Sequence, residues 1–155
     1  MKHEQAFNIY VVEDNEWYNK LLVHTLSLNP EFTVKSFFSG EEMLRELSDI
    51  VDVVTLDYRL PDTTGDVLLK KIKERSPNTE VIIISEQSEI TTAVELLKLG
   101  AYDYLVKSED IRDRLWNSVN HVRKHAGLKQ KIEILQSEVE KNTIFKIQFL
   151  DKAVP

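Results

Sequence analysis

Four short apolar runs in this chain each stop on a polar or charged residue. Ile9-Tyr10-Val11-Val12 runs into Glu13-Asp14, Val53-Val54-Thr55-Leu56 into Asp57, Val81-Ile82-Ile83-Ile84 into Ser85, and Tyr104-Leu105-Val106 into Lys107. Runs this short, β-branched and continuously apolar suit strands buried on both faces, as in a parallel sheet covered by helices. In an open α/β sheet, ligands bind beyond the carboxyl ends of the strands. The pattern therefore delivers carboxylates, a hydroxyl and an ammonium to one edge, a set that can hold a divalent cation and a phosphoryl group.

The intervening segments supply the helices such a sheet needs. Tyr18, Leu21, Leu22 and Leu26 recur at helical spacing until Asn29-Pro30 stops them. Phe32-Thr33-Val34-Lys35 alternates apolar and polar residues, as an edge strand does. Ser39 with Glu42 forms a capping box for a short helix through Met43, Leu44 and Leu47. A loop with Pro61 and Gly65 precedes a helix through Leu68 and Ile72, ending near Ser76-Pro77. Ser88 caps a helix with Ile90, Ala93, Val94 and Leu97 that stops at Gly100. Ser108 caps the next, with Glu109 and Asp110 in its first turn and Ile111, Leu115, Val119 and Val122 inward. Five strands alternating with five helices predict a doubly wound α/β domain over roughly 5–125.

Composition narrows the function classes. At 155 residues and 42% hydrophobic content, the chain can fill one core with residues to spare. A net charge of −6 argues against a general nucleic-acid binder. No cysteine is present, which excludes disulfides and thiolate metal sites and suits a reducing interior. MKHEQAFNIY lacks the apolar stretch of a secretion signal, and no run approaches membrane-spanning length. The expectation is a cytoplasmic protein without membrane contact.

VVEDN at 11–15, LDYRLPDTTG at 56–65, IIIS at 82–85 and GAYDYLVK at 100–107 together resemble the receiver domain of bacterial two-component response regulators. The resemblance covers about four-fifths of the chain, in the family's order. It implies a flavodoxin-like sheet of order 2-1-3-4-5. It also implies that Asp57 accepts a phosphoryl group from a sensor histidine kinase or a phosphotransfer protein. Asp14, the Asp57 carboxylate and the backbone carbonyl of Arg59 would ligate Mg²⁺, with Glu13 acting directly or through water. The chemistry agrees, because Mg²⁺ takes hard oxygens, keeps several waters and needs few carboxylates. Lys107 and Ser85 would meet the phosphoryl oxygens as ammonium and hydroxyl. Tyr104 matches the family's aromatic switch, whose ring turns inward when Ser85 moves toward the phosphoryl group. That switch would bias the surface of helix 88–99, strand 103–107 and the helix after it.

Taken singly, these residues have plain explanations: an acid pair in a solvated turn, an aspartate capping the next turn, a surface lysine, a packed tyrosine. Their conjunction at the ends of separate strands carries the reading. Two features depart from the family. Ser108 stands where proline usually follows the lysine, so the 107–108 peptide is expected to be trans, a non-proline cis bond costing about 3–4 kcal/mol. Glu86 replaces a small residue beside the phosphoryl pocket; an ion pair with Arg59, with Gln87 alongside, is expected to gate the site in part, and two solvated side chains that ignore each other are the plainer alternative. These departures keep a second reading open, a pseudo-receiver that binds partners without being phosphorylated. A flavin-binding flavodoxin relative is disfavoured, since EDNEWYN lacks the small hydroxyl and glycine residues that hold a flavin phosphate.

Residues 126–155 are expected to form a helical extension, linker or dimerisation segment. Leu128, Ile132, Leu135 and Val139 alternate spacings of four and three, about two heptads of a seam. Gly127 is expected to kink or interrupt the junction. Arg123, Lys124, Lys129 and Lys131 read as a solvated helix face rather than a nucleic-acid patch. A homodimer through this helix, or through the surface around Tyr104, and a linker to a further output domain both stay open. The apolar ending with Ile144, Phe145, Ile147, Phe149 and Leu150 would pack on the receiver, on a partner subunit, or begin another domain.

Overall fold

The computed structural model describes residues 6–153, apart from the side chains of 145 and 149–153. The expectations for Phe145, Phe149 and Leu150 thus lie outside the described residues. Five strands are present: β1 (Phe7–Val12), β2 (Phe32–Phe37), β3 (Val53–Asp57), β4 (Glu80–Ser85) and β5 (Asp103–Val106). They alternate with α1 (Glu16–Ser27), α2 (Gly40–Glu46), α3 (Gly65–Arg75), α4 (Ile90–Lys98) and α5 (Ile111–Ala153). Every ladder is parallel and the order is β2-β1-β3-β4-β5, as the resemblance implied.

Alternation along the strands sorts the core into two faces. Val12, Val54, Leu56, Val81 and Ile83 join Met43, Leu68, Leu69, Ile72 and Leu96 in one cluster, so α2, α3 and α4 cover that face. Ile9, Val11, Val53, Ile82 and Ile84 are also buried but lie outside this cluster, as do Leu22 and Leu26 of α1 and Leu115 and Val119 of α5. β2 alternates and sits at the edge, while the continuously apolar β3 and β4 sit inside.

Register sets up the functional edge. Val12 pairs with Leu56, Asp57 with Ile84, and Ser85 with Val106. One further step along each strand brings Glu13 beside Asp57 and Lys107 just beyond Ser85. The fourth polar terminus thus follows from the same pairing that builds the core.

Several local expectations are corrected. Ser39 caps α2 as foreseen, its Oγ accepting the Glu42 N–H at 3.3 Å, but Leu47 is already outside the helix. Ser88 does not cap α4; Glu89 occupies that position without a side-chain cap bond. α4 buries Leu96 and leaves Ile90, Val94 and Leu97 exposed, at 80%, 42% and 46%, so its apolar stripe faces outward. Ser108 bonds Asp110 and the Val106 carbonyl, and Glu109 and Asp110 precede α5 rather than forming its first turn. The helix runs through Gly127 without interruption, the cost of one glycine, about 1 kcal/mol, being too small to break it.

The chain divides into two compact units, Met1–Asn120 and His121–Pro155. In the second, Leu128, Ile132, Leu135 and Val139 are all exposed. No helix among the described residues is long and apolar enough to cross a membrane.

Candidate functional site

Each functional side chain arrives on a strand terminus locked by its neighbours. Asn19 is buried in α1 and donates from Nδ2 to the Glu13 carbonyl at 2.9 Å and to the Phe37 carbonyl at 3.1 Å, fixing the turn after β1. Asn15 caps α1, its side chain accepting the Tyr18 N–H at 2.9 Å. After Asp57 the chain folds back on itself. Leu60 N–H donates to Thr63, and Gly65 N–H donates to the Tyr58 carbonyl at 2.7 Å. Gly65 is required there, because a Cβ would lie 2.9 Å from the Tyr58 ring and 3.1 Å from its Cα. Lys107 N–H donates to the Ser85 carbonyl at 2.8 Å, so the ends of β4 and β5 are tied together.

At this edge one carboxylate oxygen from each of Glu13, Asp14 and Asp57 lies within 4.8 Å of the others. Lys107 Nζ sits between two of them, donating to Glu13 Oε1 at 2.6 Å and Asp57 Oδ2 at 3.3 Å. The Asp57 and Lys107 side chains are each 12% exposed and Glu13 is 1% exposed, whereas Asp14 faces solvent. A cleft of about 430 Å³ opens over them, lined among others by Asp14, Asp57, Arg59, Ser85 and Lys107. Asp57 is therefore reachable and not sealed beneath apolar neighbours.

Electrostatics reflect this crowding. Burial, reinforced by the neighbouring Asp57 carboxylate and only partly offset by Lys107, pushes the Glu13 carboxyl up to about 8. Burial works to lower the Lys107 ammonium, but Glu13 and Asp57 outweigh it and hold its pKa above the ordinary lysine value. Burial also raises Tyr18, whose ring faces that ammonium.

A hard divalent cation fits this donor set. Glu13 Oε2 is buried without a hydrogen-bond partner among the described residues, an expensive condition for a carboxylate oxygen that an ion, or water on an ion, relieves. Three carboxylates and no nitrogen or sulfur ligand suit Mg²⁺ better than zinc or copper.

The structure also connects Ser85 with Tyr104. Gln87 N–H donates to Ser85 Oγ at 3.1 Å, and the Tyr104 hydroxyl donates to the Gln87 carbonyl at 2.6 Å. One residue of the loop after β4 thus links both side chains. The 107–108 peptide is trans, since no cis bond occurs among the described residues. The expected Glu86–Arg59 ion pair is not formed, although both residues line the cleft. Both are exposed, and a solvated pair gains too little to hold two long side chains together.

Sequence reasoning missed two participants. Tyr18 reads as a core residue by spacing, yet its ring lies against Lys107 Nζ, 4.4 Å from centroid to nitrogen. Its position four residues after Asp14, in the first turn of the adjoining helix, was the available signal. Gln87 acts through its backbone, which no residue pattern reveals.

The comparisons with known proteins agree with this geometry. The response regulator receiver domain model matches residues 9–120. The transcriptional regulatory protein CssR of Bacillus subtilis is 34% identical over 135 residues, 85% of this chain and 60% of CssR. The DNA-binding transcriptional regulator NtrC of Proteus hauseri is 33% identical over 86% of this chain but only 29% of its own length. The chain thus spans less than two thirds of either relative. Among solved structures, the BeF3-activated DrrB receiver domain is 30% identical with a TM-score of 0.69, covering 76% of this chain and 97% of that one. The receiver domain of the Francisella response regulator 1452 is 28% identical with a TM-score of 0.68, covering 77% and 98%. Fold, edge chemistry and family match converge: the chain belongs to the response regulator receiver domains, the phosphoryl-accepting signalling modules of two-component systems.

Proposed function

We propose that Asp57 is the phosphoacceptor of this receiver, taking a phosphoryl group from a sensor histidine kinase or a phosphotransfer protein. The observation that carries this reading is the convergence of Glu13, Asp14 and Asp57 around one point, with Lys107 bridging two of them. In the reaction an Asp57 carboxylate oxygen attacks phosphorus, the phosphorus–nitrogen bond of the donor breaks, and the departing imidazole takes a proton. The product is an acyl phosphate. Asp14, Asp57, the Arg59 carbonyl and Glu13, directly or through water, would hold Mg²⁺, which when bound neutralises charge on the transferred oxygens.

The chain's own residues do the rest. Lys107 presents a positive charge beside Asp57, worth more on a side chain only 12% exposed than at a surface. Ser85 sits one residue past the partner of Asp57 and offers its hydroxyl. Movement of Ser85 disturbs the Gln87 N–H it accepts, and through Gln87 the Tyr104 hydroxyl. Phosphorylation would then shift the population of the α4–β5–α5 surface. There Ile90, Val94 and Leu97 stand exposed for a second copy or an output segment. The exposed seam of α5 suits a second copy too. With Ile132 and Val139 at a positions and Leu128 and Leu135 at d, the residue choice favours a parallel two-stranded pair. The net charge of −6 disfavours direct nucleic-acid binding by this chain.

Incubation with acetyl phosphate and Mg²⁺, read by intact mass, tests the proposal. One phosphoryl group is expected on the native chain and none on Asp57→Asn. No uptake by the native chain in the presence of Mg²⁺ would favour the pseudo-receiver reading instead.

A further inference from the structure

The Lys107 ammonium sits on a flexible stem and needs a restraint to stay beside Asp57. Its two ion-pair contacts are unequal, 2.6 Å to Glu13 and 3.3 Å to Asp57. Its third neighbour is the face of the Tyr18 ring, 4.4 Å from Nζ to the centroid. An ammonium has three N–H bonds, and two carboxylates and a ring face are the three neighbours these contacts supply.

We infer that Tyr18 is a positioning residue, whose ring face keeps the Lys107 ammonium shared between Glu13 and Asp57 through a cation–π contact. The inference rests on Asp57 being the phosphoacceptor. Once Glu13 is ionised, as it must be to hold a cation, loss of the ring lets the shorter contact to Glu13 win, and the ammonium withdraws from the oxygen at which phosphoryl charge must be met. Cation–π attraction strengthens as water is excluded, and the Lys107 side chain is only 12% exposed.

Two further features single out the ring. Its backbone is anchored, since Asn15 Oδ1 accepts the Tyr18 N–H and so fixes the first turn of α1 immediately after Asp14. Its hydroxyl, by contrast, is buried without a hydrogen-bond partner among the described residues, so no hydrogen bond of the phenol explains the placement. On the other side of Lys107, Ser108 is exposed and its hydroxyl is committed to Asp110 and the Val106 carbonyl. Those bonds shape the loop but leave the ammonium to its own contacts.

The test places phenylalanine and its mono-, di- and trifluorinated analogues at position 18 of the full chain, because fluorine drains the ring's negative face with little change of shape. Phosphoryl uptake from acetyl phosphate with Mg²⁺ gives the rate. The ¹H–¹³C signals of the Lys107 ε-methylene give the contact, displaced upfield by the ring current. Tyr18→Phe is expected to keep the displacement and a rate within about twofold of native. The rate then falls stepwise along the fluorinated series, and Tyr18→Leu loses both the displacement and roughly tenfold of the rate. A ring that merely fills space leaves the rate flat across the isosteric series, which overturns the inference whether or not the leucine variant folds. A native Lys107 signal lacking the upfield displacement overturns it too. Absence of uptake by the native chain, with the displacement present, instead defeats the phosphoacceptor reading and with it the role in transfer.

Discussion

On the proposed reading of the acidic pocket, Glu13 makes magnesium binding depend on pH. Its carboxyl is pushed up to about 8 by burial and by Asp57, against Lys107, so the metal-free protein carries a proton there at neutral pH. A cation requiring the ionised set must expel it. With one such proton, apparent affinity scales with the ionised fraction, about 1 in 100 at pH 6 and about half at pH 8, a gain of about 50-fold. Trp17, 70% exposed in the first turn of the helix that follows the acid pair, supplies a fluorescence signal for the titration. Calorimetry in buffers of different ionisation enthalpy counts the released proton directly. Glu13→Gln is expected to flatten the dependence. The sign for stability follows from the same shift. Between about pH 5 and 8 the folded metal-free chain holds a proton that the unfolded chain has lost, so its stability falls as pH rises through that window. A native affinity that is flat from pH 6 to 8, or an equal slope in Glu13→Gln, would exclude Glu13 as the group that titrates.

Three further outcomes are expected. Gly65→Ala forces a Cβ to within 2.9 Å of the Tyr58 ring and 3.1 Å of its Cα, costing about 1–3 kcal/mol in chemical denaturation; a loss below about 0.5 kcal/mol would show that the turn relaxes freely. Tyr104→Phe removes the 2.6 Å bond to the Gln87 carbonyl at about 1 kcal/mol, and amide exchange at Gln87 should quicken; unchanged exchange would uncouple Tyr104 from that loop. Replacing Ile132 with Asp puts a charge at the centre of the α5 seam, so the native mass should fall to that of one chain; a native protein already monomeric with a phosphoryl mimic and Mg²⁺ removes the parallel-pair proposal.

The sheet was legible because β3 and β4 are buried on both faces, and only a covered parallel strand tolerates a run such as Val81-Ile82-Ile83-Ile84. The functional edge followed, since the residue ending each run must emerge where the strand does. Local boundaries were less legible. Ser88 and Ser108 both look like caps, yet the chain enters α4 at Glu89 and spends the Ser108 hydroxyl on Asp110, because a hydroxyl bonds whichever neighbour the loop presents. The direction of the α4 stripe was illegible for a different reason. Helical periodicity shows that Ile90, Val94 and Leu97 share a face, not that Leu96 is the residue turned inward. The Glu86–Arg59 pair failed because nearness in sequence to one cleft does not fix two solvated side chains.

The charges around the cleft explain why these departures matter together. Glu13, Asp14, Asp57 and Glu86 oppose Lys107 and Arg59, so full ionisation leaves two negative charges in excess. The protein relieves part of this by keeping a proton on Glu13, and a divalent cation relieves the whole of it. An incoming phosphoryl dianion restores the excess, and Glu86 then stands at the mouth without a cation paired to it. Lys107 is the only buried positive charge among these six residues, and it is drawn more closely to Glu13 than to Asp57. Whatever holds it near Asp57 therefore controls how much of its charge reaches the phosphoryl oxygens. In a site where a ring face supplies that hold, magnesium and the aromatic residue act on the same quantity from opposite sides. On the proposed reading a bound cation would compete with Lys107 for Glu13, and the ring would limit how far the released ammonium drifts.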